Sequence, residues 1–180
     1  MTMIGLTTYS KGSKFFHWLI ALLVIVMLSI GFFLGDFPEK LKASAYMLHQ
    51  SLGISIFFLM WLRIFWLWYT GRPELPVTVP VWQKILARTV QYFLYVFVIL
   101  MPLSGWIMST ASKYPVNFFG ITNFSFPGVG ENQSLSELMW QFHSTIALII
   151  IGLLFFHISG AIKHHFIDKD NVVRRMWPGK

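Results

Sequence analysis

Four long apolar stretches constrain the fold of this chain more than any other feature of its sequence. They cover residues 15–35, 44–69, 82–109 and 138–162, more than half of the 180 residues. A bilayer core roughly 30 Å thick is crossed by about 20 apolar residues in an α-helix, so each stretch is long enough to span it. The sequence therefore predicts an all-α membrane protein, a four-helix transmembrane bundle that forms a single domain over residues 1–180.

Local signals place the ends of these helices. Ser10 and Ser13 are both suitable N-caps for the first helix, which we expect to run to Asp36. Ser134 followed by Glu137 has the spacing of a capping box and predicts the start of the fourth helix. No cleavage motif of small residues follows the first stretch, so we expect a retained span rather than a signal peptide.

The connection at residues 110–133 is long, rich in Gly, Ser and Asn, and carries four phenylalanines. Long loops in compact proteins are usually functional. We expect its aromatic side chains to fold back over the mouth of the bundle.

The basic residues predict the orientation. An even number of spans leaves both termini on one side, and that side carries eleven basic residues: Lys11, Lys14, Arg63, Arg72, Lys84, Arg88, Lys163, Lys169, Arg174, Arg175 and Lys180. The other side carries three, Lys40, Lys42 and Lys113. By the positive-inside rule both termini are cytoplasmic. The net charge of +7 is thus a topology signal, and it does not indicate nucleic-acid binding.

Four histidines lie inside the apolar stretches at two depths. His17 and His157 are near the cytoplasmic side, whereas His49 and His143 are near the outer side. A histidine in a membrane span is costly without a partner and is therefore a functional-site hypothesis. His143 and His157 are fourteen residues apart, which places them on nearly the same helix face and about 21 Å apart along the axis. That spacing suits two flat macrocycles, one in each leaflet, better than one metal ion.

Other residues support haem as the macrocycle. The chain has no cysteine, so any haem is held non-covalently, by histidine. A small residue follows each of the four histidines four positions later, on the same face, and would form a floor for a porphyrin. These residues are Ala21, Gly53, Ala147 and Ala161. Arg63 lies fourteen residues after His49, at the depth of the cytoplasmic pair, and would balance haem propionates.

Two simpler interpretations stay open. A single histidine in a membrane bundle often donates a hydrogen bond to a neighbouring helix. His164 and His165, just beyond the fourth helix, are consistent with an ordinary polar helix end near the headgroups. Their functional interpretation is contact with a quinone headgroup, because imidazole gains and loses protons near neutral pH.

With these residues assembled, the chain resembles the bacterial cytochrome b561 family over nearly its whole length. The motifs that carry the resemblance are Phe16-His17-Trp18, Met47-Leu48-His49-Gln50-Ser51-Leu52-Gly53, Pro102-Leu103-Ser104-Gly105, Trp140-Gln141-Phe142-His143, Gly152-x4-His157, Lys163-His164-His165-Phe166 and Asp168-Lys169-Asp170-Asn171. The resemblance implies two b haems with bis-histidine ligation, a bacterial inner-membrane location among lipid, and electron exchange with ubiquinone or a similar quinone.

The resemblance leaves the outer-face redox partner open. Some members of the family are proposed to oxidise superoxide at the outer face, and a negative substrate favours a positive entrance. Here the outer loops hold three lysines against the four carboxylates of Asp36, Glu39, Glu131 and Glu137. This balance does not favour steering of superoxide.

The leading hypothesis is therefore a di-haem transmembrane electron carrier, with an oxidoreductase activity linked to quinone. The second is a membrane-anchor cytochrome b subunit of a larger dehydrogenase or hydrogenase. The third is a haem-free metal transporter that uses the histidines. The sequence leaves open whether the chain forms a homodimer.

Overall fold

The computed structural model describes residues 7–178, and four long helices dominate it. In chain order the helices are α1 (Lys11–Gly31), α2 (Glu39–Thr70), α3 (Val81–Ala111) and α4 (Gln133–Ile162). All four are long and apolar enough to cross a membrane. The predicted four-helix membrane bundle is confirmed.

The helix ends follow local chemistry, but several differ from the sequence prediction. Helix α2 begins at Glu39, five residues before its predicted start at 44. Ser10 caps α1 by accepting a hydrogen bond from the Ser13 amide at 3.2 Å. Ser10 and Ser13 were both predicted as possible N-caps, and the structure uses Ser10. Helix α4 is capped by Asn132, whose side chain accepts from the Leu135 amide at 3.0 Å. The capping box predicted at Ser134 is therefore wrong: Asn132 comes first and offers a carboxamide oxygen of the same reach.

Helix α1 also ends earlier than predicted. Its α-helical hydrogen bonding stops at Gly31, and a short 3-10 turn (Leu34–Asp36) follows before Pro38. Proline directly precedes the first residue of both α2 and α3, as Pro38 and Pro80. Each proline starts a helix at no cost, because the first backbone amides of a helix have no partner within it.

A β-hairpin covers one end of the bundle. Strands β1 (Val116–Phe118) and β2 (Thr122–Phe124) are antiparallel. The hydroxyl of Ser51, on α2, is fully buried; it donates to the Asn117 carbonyl at 3.1 Å and accepts from the Phe119 amide at 2.8 Å. The prediction that this loop folds back over the bundle is confirmed. We call this the hairpin end.

The two chain ends meet at the opposite end of the bundle. The Tyr9 amide donates to the Arg175 carbonyl at 3.3 Å, and the Trp18 indole donates to the Met176 carbonyl at 2.9 Å. The Arg175 guanidinium also donates to the carbonyl of Glu74, between α2 and α3. We call this end, formed by residues 7–10, 71–80 and 163–178, the terminal end.

The interior of the four-helix bundle is aliphatic at mid-depth, halfway between the hairpin end and the terminal end. Ile20, Ile56 and Ile150 are 4%, 5% and 2% exposed, and they pack with buried residues of all four helices. Ile150 lies seven residues from His143 and seven from His157, so this layer separates the two depths predicted for the histidines. Large apolar side chains such as Leu148 point outward, as expected of a surface that contacts lipid.

Candidate functional site

Near the terminal end, α1 and α4 bring the side chains of His17 and His157 next to each other. Their ring centroids are 6.2 Å apart and the ring planes are inclined by 69°. His17 is in the second turn of α1, and His157 lies six residues before Lys163, at the end of α4. We call these two residues the terminal pair.

Near the hairpin end, α2 and α4 bring His49 and His143 together in the same way. Their ring centroids are 6.3 Å apart and the planes are inclined by 64°. Both pairs predicted from depth and face are therefore neighbours in the structure. We call His49 and His143 the hairpin pair.

The spacing within each pair fits two imidazoles that share one iron. A metal–nitrogen bond of about 2 Å on each side places the two ring centroids roughly 6 Å apart. The four Nε2 atoms have no hydrogen-bond partner among residues 7–178. The donor set, two neutral imidazoles without thiolate, is one that holds b-type haem.

The orientation of His143 is fixed from its second nitrogen. Its Nδ1 lies 3.0 Å from the Met101 carbonyl and 3.1 Å from the Ser104 hydroxyl. A carbonyl can only accept, so Nδ1 carries the proton and Nε2 keeps its lone pair for a metal. By contrast, the Nδ1 of His49 is buried without a partner among the described residues. Ser104 belongs to a motif noted in the sequence, but its contact with His143 could not be predicted from that motif.

Arg63 lies beside the terminal pair. Its Nη1 is 3.0 Å from His17 Nδ1, and its Nε donates to the Tyr95 hydroxyl at 3.1 Å. No carboxylate of residues 7–178 lies within ion-pair distance of the guanidinium. Burial raises the pKa of the nearby Tyr9 phenol, so that group stays neutral and does not balance the charge of Arg63.

Glycines lie against both histidines of the hairpin pair. A Cβ on Gly105 would come 3.1 Å from His143 Cε1, and a Cβ on Gly31 would come 3.3 Å from His49 Cε1. Both distances are tighter than ordinary contact, so glycine allows the imidazoles their positions. At Gly53, predicted as part of a porphyrin floor, a Cβ would meet Met27 and Pro102 at an ordinary 3.8 Å.

His164 and His165 occupy different surroundings beyond α4, in a π-helical turn (Lys163–Ile167). His164 turns inward, and its Nδ1 lies 2.7 Å from a carboxylate oxygen of Asp170. His165 is exposed and lies against Phe166, with ring centroids 4.6 Å apart. It lines an open cleft of about 280 Å³ together with four other residues, Phe166, Lys169, Asp170 and Arg174.

At the hairpin end the cations are mostly paired with acids. Lys42 lies 2.6 Å from Glu39, and Lys113 lies 2.6 Å from Glu131. Among residues 7–178, Lys40 is the remaining lysine of this face, and it makes no ion pair. The structure therefore gives this face little positive field.

A family model described as prokaryotic cytochrome b561 matches residues 8–179. The chain belongs to the prokaryotic cytochrome b561 family. It is 30% identical over 172 residues to cytochrome b561 homolog 2 of Escherichia coli (strain K12), covering 93% of this chain and 90% of that protein. It is also 30% identical over 166 residues to the "Probable superoxide oxidase CybB" of Yersinia pestis, covering 91% of this chain and 92% of that protein.

This cytochrome b561 is a membrane electron-transfer protein, and its family implies b-type haem. The resemblance drawn from the sequence motifs is thus confirmed. The two histidine pairs are the candidate sites for this haem.

Proposed function

We propose that this cytochrome carries electrons across the membrane through two b-type haems. His17 and His157 would hold one haem, and His49 and His143 the other. The observation that carries the proposal is the near-equal spacing of the two pairs, 6.2 Å and 6.3 Å between ring centroids. Each haem would supply one-electron oxidation and reduction, with its potential set by the surrounding protein.

The position of Arg63 is evidence for a haem propionate near the terminal pair. When Nε2 of His17 binds a metal, its Nδ1 carries the proton and cannot accept from the guanidinium of Arg63. The contact of 3.0 Å between the two groups would then be released. Arg63, which pairs with no carboxylate among the described residues, would turn to an anion, and the propionate is the anionic part of haem.

The open cleft at the terminal end is the site we propose for a quinone headgroup. It lies at the end of α4 beside the turn that carries His164 and His165, on the same side as the terminal pair. Its wall combines an aromatic ring, Phe166, with groups that donate or accept protons. Ubiquinone or a similar quinone would exchange electrons with the terminal pair here, on the cytoplasmic side of a bacterial inner membrane.

The redox partner at the hairpin end would face the outer side. Superoxide is one candidate, because a relative bears the name of a superoxide oxidase. The ion pairs of Lys42 and Lys113 argue against attraction of an anion over long distances. A superoxide activity would then depend on Lys40 or on direct access to the hairpin pair, and its rate would respond only weakly to salt.

A haem count and a reduction assay test the proposal. We expect the purified protein to contain two haems per chain in a pyridine haemochrome assay. Ubiquinol, without any partner protein, should produce the absorption bands of reduced b-type haem. One haem per chain would overturn the two-site proposal, and bands that appear only with a co-purifying dehydrogenase would favour an anchor subunit.

A further inference from the structure

The chain beyond α4 folds back so that Asp170 meets His164. The π-helical turn ends at Ile167, and the Asp170 amide then donates to the His164 carbonyl at 3.1 Å. This backbone contact brings one carboxylate oxygen of Asp170 to 2.7 Å from His164 Nδ1. The other carboxylate oxygen accepts from the Val172 amide at 2.9 Å. Both oxygens are therefore held in place.

A second aspartate lies near His164 but has a different partner. One oxygen of Asp168 is 3.4 Å from His164 Nδ1, too long for a strong hydrogen bond. The Lys163 ammonium contacts both oxygens of Asp168, at 2.8 and 2.5 Å, and neutralises them. Among residues 7–178, Asp170 is thus the acid that binds His164, and Asp168 is the natural control for it.

The Asp170–His164 pair is largely sheltered from water and adjoins the cleft. The side chains of His164 and Asp170 are 12% and 17% exposed. Asp170 lines the cleft itself, and His164 lies directly behind it. Partial burial strengthens a charge-assisted hydrogen bond of this kind. The other charged or titratable groups of the cleft are His165, Lys169 and Arg174.

We propose that Asp170, held in position by His164, is the proton-exchanging group of the quinone cleft. The inference rests on the quinone site proposed above and adds the group that handles the proton. Oxidation of a quinol releases two electrons and two protons. Asp170 would take one proton from a quinol hydroxyl and become a neutral carboxylic acid, while the Nδ1–H of His164 keeps the carboxyl group in position by its hydrogen bond. The second proton would leave to water through the open side of the cleft, and the two electrons would enter the electron relay singly.

Reduction of a quinone runs the same steps in reverse. The carboxylic acid of Asp170 gives its proton to a quinone oxygen, and the carboxylate then takes a new proton from water through the open side of the cleft. In this scheme Asp170 touches the substrate and carries the proton, whereas His164 positions the carboxylate from behind. Removing the carboxylate should slow turnover more than it weakens quinone binding, because proton transfer by a positioned side chain contributes about 10²–10⁴-fold to rate.

The test compares Asp170→Asn with Asp168→Asn in the full-length, haem-loaded protein. The measurement is the rate at which a short-tailed ubiquinol reduces the haem bands, followed from pH 5.5 to pH 8.5. We expect Asp170→Asn to lower the maximal rate by about 100-fold or more with little change in KM, and to flatten its pH profile. Asp168→Asn should stay within about twofold of the unmodified protein, since it removes only a surface ion pair.

His164→Gln gives an independent measurement, which keeps the inference testable even if the Asp170 variant folds poorly. It should reproduce the loss, and combining it with Asp170→Asn should cost little more, because the two residues act as a unit. Dithionite reduction and haem content should be unchanged in every variant. A normal rate and pH profile in Asp170→Asn, or equal losses in both aspartate variants, would overturn this inference alone. Failure of the unmodified protein to accept electrons from ubiquinol would overturn the quinone site as well.

Discussion

At the scale of single residues, the terminal and hairpin pairs are separate enough to be removed one at a time. Replacing His157 with Ala should lower the haem content from two per chain to one, because His143 and His49 remain 6.3 Å apart, some four helical turns away. A pyridine haemochrome assay gives the count. His165→Ala, in the exposed turn beyond α4, should keep two. Loss of both haems, or of neither, in His157→Ala would contradict the pairing.

The charge of Arg63 should raise the potential of the haem at the terminal pair. A nearby cation disfavours the oxidised iron, which carries one more positive charge. Arg63→Gln should therefore lower that midpoint potential by about 30–60 mV, up to tenfold in the equilibrium constant. Arg88→Gln, at an exposed position of α3, is the matched control. A redox titration in which neither haem shifts would exclude this role.

The sequence was sufficient to pair the histidines, but not to find the partners of the residues around them. Depth along an apolar stretch and the 3.6-residue period are properties of one helix, so both pairs could be predicted. The contact of Arg63 with Tyr95 depends on how α2 and α3 are rotated against each other, which no local pattern specifies. The bond between His164 and Asp170 depends on a chain reversal after α4 that no local sequence pattern predicts.

At the scale of elements, Gly105 on α3 leaves room for the imidazole of His143 on α4. Gly105→Ala places a Cβ 3.1 Å from His143 Cε1, so the imidazole must move. We expect occupancy of the hairpin-pair haem to fall, with the haem content dropping from two per chain towards one. Haem content and the spectrum of each haem provide the measurement.

Gly152→Ala is the control for this change. Gly152 also lies within a membrane helix, but a Cβ there would meet nothing within 4 Å. Both substitutions gain the same intrinsic helix propensity, about 1 kcal/mol, so only the steric contact differs. Equal haem content in the two variants would show that His143 does not need the space beside Gly105.

The sequence predicted the number of helices better than the residues at which each helix begins and ends. Four apolar stretches of sufficient length leave little alternative to four spans, whereas an end is decided by a single hydrogen bond. Asn132 and Ser134 both offer a suitable oxygen, and the structure uses Asn132. Helix α1 ends at Gly31 although apolar residues continue, because apolar character does not distinguish an α-helix from the 3-10 turn that follows.

At the scale of the whole molecule, the remaining prediction concerns orientation. Tyr9 and Arg175 meet at the terminal end, so both ends of the described chain share one side of the bundle. The distribution of basic residues predicts that this side faces the cytoplasm. A fluorescent protein fused after Lys180 should fluoresce, and alkaline phosphatase fused there should be inactive. Active phosphatase would reverse the assignment of both faces.

The aliphatic layer at mid-depth has a consequence for energy conversion. Ile20, Ile56 and Ile150 fill the interior between the two pairs and offer no group that could carry a proton. In the proposed relay an electron would therefore cross this layer alone, without a compensating positive charge. Such a transfer is electrogenic, and the membrane potential acts on it with about 2.3 kcal/mol per 100 mV for a full crossing. The direction of net flow through this cytochrome would thus depend on membrane voltage as well as on the potentials of its partners.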